Sequence, residues 1–251
     1  MTLLNRRRPR YEVDPEGHMP LREHIAELRR RILVSALAVL AGAVICFWQF
    51  PAILEVLSAP YCDLRPTDEC EFLQTDPLEA FTVRLTVAFY GGIALAMPVL
   101  LLQLWKFITP GLHPNERRYA LPFVGSAAVL FVMGAGLAFL TVPRALNFLT
   151  AIGGDWFEPF FRGSEYLAFL VKMMVAFGVG FEFPIVLIFL QLAGIVTPEQ
   201  LAGLRRYSLV GIMLAVAIIT PSGDPFSLFV LSIPMYLFYE ASILIGRFLR
   251  R

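Results

Sequence analysis

Residues 20–31 read PLREHIAELRRR and run directly into Ile32, at the head of an apolar stretch. Leu21, Ile25, Leu28 and Ile32 recur at spacings of four, three and four, which is one stripe of a helix. Arg22, Glu23, Glu27, Arg29, Arg30 and Arg31 occupy the remaining surface. A helix that is apolar on one side and charged on the other lies in a membrane interface or against a partner. Three consecutive arginines ahead of an apolar run also hold that end in the cytoplasm. The stretch therefore sets the orientation of the chain and leaves Glu27 at the cytoplasmic face among its own arginines.

Working outward, the chain has 251 residues, 57% of them hydrophobic and 16% charged. Soluble domains are about 45–50% apolar and about 25% charged. The apolar excess is gathered into long runs, so the chain reads as an all-α, polytopic membrane protein. A net charge of +1 suggests no nucleic acid partner. The three histidines are scattered, and no Cys/His spacing resembles a metal site. No glycine-rich phosphate loop and no nucleophile–base–orienter set is visible, so neither an enzyme nor a cofactor is expected.

Residues 1–19 mix arginines, acids and prolines without an apolar period, and are expected to form a flexible cytoplasmic tail. Residues 20–251 form the membrane domain. Its apolar segments are Ile32–Phe50, Leu85–Leu104, Ala120–Val142, Tyr166–Leu192, Tyr207–Thr220 and Phe226–Ile245. Gly125, Gly134 and Gly136 in the third allow close helix contact. The fifth has only 14 residues, about 21 Å of helix against a hydrocarbon core of about 30 Å. Asp76-Pro77-Leu78-Glu79 and Thr197-Pro198-Glu199-Gln200 each read as a capped helix start with proline at the first helical position. Pro51–Glu79 and Pro143–Glu165 are expected to be outer loops, the first with seven acids and one arginine. Cys62 and Cys70 lie in it, and an oxidising compartment permits a disulfide between them.

Six segments place both termini on one side. Of the 21 basic residues, sixteen fall on the side of the termini and four on the other, with Lys172 inside a segment. Both termini are therefore expected to be cytoplasmic.

The candidate functional groups are a few charges. Glu27 and Glu116 both fall at the cytoplasmic face. They could receive guanidinium groups of a partner as two-pronged, charge-assisted pairs that lysine cannot copy. Equally, Glu27 could pair with Arg31 four residues on, and Glu116 could stabilise a first helical turn. Glu182, within AFGVGFEFP, is an ionisable group inside an apolar segment, which marks a functional candidate or a helix-packing hydrogen bond. Lys172, ten residues away, is not an obvious partner for it. Glu240 could snorkel or cap, and Asp224 could be a turn residue.

HIAELRRRI at 24–32, SAP at 58–60, TDPLEAF at 75–81, WKFITPGLHPNERR at 105–118, AFGVGFEFP at 176–184, TP at 220–221 and IPMYLFYE at 233–240 resemble, in order, the signature segments of the TatC family. That family is the polytopic core of the twin-arginine protein translocase. The resemblance implies six transmembrane helices in a glove-like concave bundle with short fifth and sixth spans, in the cytoplasmic membrane. It implies a receptor for signal peptides bearing two adjacent arginines, on cargo that crosses the membrane folded, driven by the proton motive force. Carried over, the signal-binding residues are Glu27 and Glu116, with Arg29, Phe107, Arg117 and Arg118 at other sensitive positions. Glu182 matches the intramembrane acid of the family, and Pro60 and Asp224 match outer positions important for function or assembly. The implied partners are the single-span proteins TatA and TatB, in an oligomer of TatB–TatC units. Two other readings stay open on the residues alone: a proton-coupled small-solute transporter with Glu182 as relay, and a membrane scaffold.

Overall fold

The computed structural model describes residues 21–62, 72, 74, 76–108, 120–153, 162–192, 194–220 and 224–249. Among these, every regular element is a helix, in the order α1 (Leu21–Trp48), α2 (Phe50–Cys62), α3 (Glu79–Ile108), α4 (Ala120–Gly153), α5 (Gly163–Phe181), α6 (Phe183–Leu192), α7 (Pro198–Gly203), α8 (Arg205–Ile219) and α9 (Pro225–Leu249). Among the described residues, five stretches are long and apolar enough to cross a membrane: α1, α3, α4, α5 with α6, and α9.

Nothing breaks the helix between Arg31 and Ile32, so the amphipathic stretch and the first span are one rod, α1. Ile25, Leu28 and Ile32 of its stripe stay exposed, available to a membrane interface or a partner. α1 lies along α3. The two approach at Gly42 and Gly92, where a Cβ on Gly92 would stand 2.6 Å from the Ala43 amide nitrogen. Arg84 of α3 donates from Nε and Nη2 to the Phe47 carbonyl at 3.0 and 2.8 Å. A cation is thereby placed on a carbonyl of the last turn of α1, where the helix dipole favours it.

Two expected loops begin as helix. Pro51–Glu79 begins as α2, because Ile53, Leu54, Leu57 and Tyr61 recur at helical spacing and turn toward the core. Pro51 sits in the first turn, where its missing N–H goes unused. Tyr166 of α5 donates to the Leu57 carbonyl at 3.3 Å, and Tyr61 packs against the rings of Phe72 and Tyr166. The loop expected from Pro143 is likewise delayed, since α4 continues through that proline to Gly153. The Thr141 hydroxyl and the Arg144 guanidinium donate to carbonyls of Leu137, Ala138 and Leu140 around it.

The centre of the bundle is α5. Of the most apolar window of α5–α6, 56% is buried, against 11% for α1. Leu170, Met173 and Phe177 of α5 are fully buried with Leu231, Tyr239 and Ile243 of α9. α4 meets α5 closely at Gly134, where a Cβ would lie 2.5 Å from the Phe177 carbonyl oxygen. Gly125 and Gly136 have open space instead and make no such contact.

Both capping contacts form, although α3 begins at Glu79, after a turn over residues 76–78, rather than at Pro77. Asp76 accepts from the Leu78 amide at 2.7 Å while Glu79 accepts from the Asp76 amide at 3.3 Å. Thr197 and Gln200 complete a reciprocal capping box at α7. α8 has 15 residues, about 22 Å, and stops at Thr220, which is held extended ahead of a proline. The expected short sixth span is corrected: α9 runs 25 residues straight through Pro234, about 37 Å and ample for a ~30 Å core. A single proline removes one backbone bond, and the packing of α9 on α6 and α8 holds the rest.

Candidate functional site

The end of the bundle that carries the N-terminus of α1 holds a cleft of about 280 Å³ between α1 and α3. Glu27, Arg30, Arg31 and Val34 line one wall, and Gln103 and Lys106 the other. One helical turn separates Glu27 from Arg31, and the two form an ion pair. Arg31 also donates from Nη1 to Gln103 at 3.4 Å, bridging the two helices, while its Nε is buried with no partner. The Glu27 side chain remains 26% exposed. The local pairing considered from the sequence is thus present, and it leaves the carboxylate within reach from outside.

Of the other residues singled out at this end, Arg29 is exposed on a different face of α1 and does not enter the cleft. Phe107 is half-buried in the last turn of α3. Glu116, Arg117 and Arg118 lie outside the described residues. Gln103 joins the site only in the structure, although a lone amide within LLLQLWKF is a visible signal in the sequence.

A second feature is an apolar groove of about 630 Å³, walled by α3, α4, α5, α6, α8 and α9. Met97, Leu101, Phe123, Ile185, Ile212 and Met235 contribute to its walls. The rings of Trp105, Phe123 and Phe189 pack in tilted and edge-to-face pairs where α3, α4 and α6 converge, with the Trp105 centroid 4.3 Å from that of Phe123 and 5.5 Å from that of Phe189. Glu182 stands on the groove between α5 and α6, where the helix is interrupted ahead of Pro184. It is 6% exposed, and neither carboxylate oxygen has a hydrogen-bond partner. The intramolecular helix-packing bond considered for it is not made. An unpaired acid in an apolar setting is retained at a cost.

The remaining candidates have structural partners. Arg205 at the head of α8 donates from Nε and Nη2 to Glu240 of α9 at 2.7 and 2.8 Å. Asp224 is buried and accepts from the Ser227 amide at 2.7 Å, capping α9 ahead of Pro225. Pro60 is buried in α2 beside Tyr61. Cys62 is disulfide-bonded and Cys46 is a free, buried thiol, while Cys70 lies outside the described residues. No group of metal-ligating side chains occurs among the described residues.

A family model described as Sec-independent protein translocase protein (TatC) matches residues 23–234. A Sec-independent protein translocase protein TatC of Frankia casuarinae is 40% identical over 97% of this chain and 69% of its own length. One from Aquifex aeolicus is 38% identical over 93% of this chain and 97% of its own. A crystal structure of a twin-arginine translocase receptor, TatC, superposes with a TM-score of 0.76 at 37% identity, covering 91% of this chain and 100% of that one. A family match over most of the chain, with the same backbone carrying it, makes this multi-pass membrane protein a member of the TatC family of Sec-independent protein translocase components.

Proposed function

We propose that this chain is the receptor of a twin-arginine translocase, binding signal peptides with two adjacent arginines at Glu27 and Glu116. Arg29, Phe107, Arg117 and Arg118 flank that site, and the apolar segment of the peptide continues into the groove beside Glu182. The observation that carries the reading is the Glu27 carboxylate, reachable from outside and already holding a guanidinium, that of Arg31. An incoming arginine exchanges with Arg31, so a charge pair is kept throughout, and Arg31 retains Gln103 as acceptor. Arginine offers two parallel donors to a carboxylate and lysine only a point charge, which favours an arginine pair over a lysine pair.

The finer topology belongs to the same proposal. α8 is the short fifth span and α9 the sixth, both termini are cytoplasmic, and the protein resides in the cytoplasmic membrane. TatA and TatB dock on α8 and α9, TatB–TatC units form an oligomer, and the proton motive force supplies the energy. The basic residues gathered at one side support the orientation.

The test is site-specific crosslinking of a twin-arginine peptide to positions 27 and 116, with binding measured in Glu27→Gln, Glu116→Gln and the double variant. Weakened binding in folded protein is expected. Unchanged binding in both single variants together with no crosslink removes the site assignment. The partnerless Glu182 also suits a proton-coupled solute carrier, which predicts solute uptake by vesicles that lack TatA.

A further inference from the structure

α3 carries hydroxyl groups at Thr82, Thr86 and Tyr90, four residues apart, so they form one stripe down the helix end remote from Glu27. α5 faces this stripe across a separate cleft of about 720 Å³, to which it contributes Lys172. Lys172 is exposed and has no ion pair or hydrogen bond among the described residues. It lies nine residues beyond Gly163, about 13 Å along the helix axis. α5 and α6 together run 30 residues, about 45 Å, which exceeds a ~30 Å hydrocarbon core by about 15 Å. With that excess shared between the two ends, the Lys172 backbone sits about 6 Å inside the hydrocarbon, a depth from which a lysine stem returns its ammonium to the interface. The free cation thus reaches the edge of the hydrocarbon, just beneath the lipid phosphates.

The mouth of the same cleft has the opposite sign. The Asp76 carboxylate accepts from the Leu78 amide at 2.7 Å and has no cationic partner among the described residues. Glu165 beside it is paired with Arg162 at 3.7 Å. Lys172 stands deep in the cleft at the level of the hydroxyl stripe, since the Ser164 hydroxyl bonds Glu79 at the head of α3, and the mouth carries Asp76, Glu79 and Glu165 against Arg162, a net negative charge. A zwitterionic headgroup with its phosphate inward and a hydrogen-bonding ammonium outward is the complement of that arrangement. Leu85 and Phe89, exposed on α3, offer apolar surface to acyl chains.

We propose that the cleft between α3 and α5 holds the headgroup of a phosphatidylethanolamine lipid in the leaflet opposite Glu27, its phosphate on Lys172 and its ammonium on Asp76. Choline keeps the positive charge but has no N–H to donate, and glycerol has neither charge nor ammonium. The three common headgroups are thereby ranked.

The experiment titrates the full chain in detergent with phosphatidylethanolamine, phosphatidylcholine and phosphatidylglycerol of identical acyl chains, reading lipid retention by native mass spectrometry. Phosphatidylethanolamine is retained most. Lys172→Met lowers its retention by about threefold, the scale of one exposed ion pair, whereas Lys172→Arg keeps it. Asp76→Asn removes the preference over phosphatidylcholine. Equal retention of the three lipids by the unaltered protein, tighter phosphatidylglycerol binding, or unchanged retention in Lys172→Met overturns the proposal. The first two outcomes need no variant to fold.

Discussion

Replacing Gly92 with alanine should loosen α1 from the bundle. The new Cβ would stand 2.6 Å from the Ala43 amide nitrogen, and 2.8 Å from both the Ala43 Cα and the Val39 carbonyl oxygen. All three are backbone atoms of α1, so no rotamer change relieves them. Ordinary contact begins at 3.4 Å, so α3 and α1 must separate by about 0.8 Å along most of their crossing. Overpacking of this kind costs about 1–3 kcal/mol, which for a chain of this size lowers the unfolding temperature by about 2–12 °C. Intrinsic helix propensity acts in the opposite direction, since alanine is better than glycine by about 1 kcal/mol in a helix interior. Gly125→Ala and Gly136→Ala meet nothing within 4 Å and should therefore be neutral or slightly stabilising. Thermal unfolding of the three variants in one detergent makes the comparison. If Gly92→Ala unfolds at or above the temperature of the unaltered protein, or if all three shift alike, the close crossing of α1 and α3 is wrong.

Asp224→Ala leaves the buried amide of Ser227 without its 2.7 Å acceptor and should destabilise α9 by about 1–2 kcal/mol, with Asp224→Asn restoring most of the loss. Chemical unfolding checks this, and equal losses in the two variants would count against a capping role. Glu240→Gln breaks the two-pronged contact with Arg205 and should raise hydrogen exchange in α7 and α8 while sparing α5, whereas Arg205→Lys should give a weaker version of the same change. Uniform exchange across the bundle would show that this pair does not fasten α8 to α9. Gly246→Ala drives a Cβ into Gln191 Oε1 and should displace the amide from the Ser242 carbonyl, where it donates at 3.0 Å. A lower unfolding temperature that Gln191→Ala in the same chain partly rescues is the expected result.

What could be read without coordinates was what neighbours along the chain decide. Apolar runs, the two capped helix starts at Asp76 and Thr197, and the basic side of the chain depend on groups within a turn or two of each other. Periodicity and composition express such groups directly. The family segments added the carboxylates worth watching. What folding alone decided was the company each charge keeps. Arg205 and Glu240 are 35 residues apart, and Arg31 and Gln103 are 72 apart, so no local pattern could pair them. α2 reads as loop because the acids that follow it dominate the stretch, although Ile53, Leu54, Leu57 and Tyr61 recur at helical spacing; the partners that hold it, Phe72 and Tyr166 against Tyr61, are met only in the fold. Glu182 could have satisfied itself within the bundle. Only the packing of α5, α6, α8 and α9 around the groove left it buried and unpaired, because a side chain's partners are set by which helices meet and not by its place in the sequence.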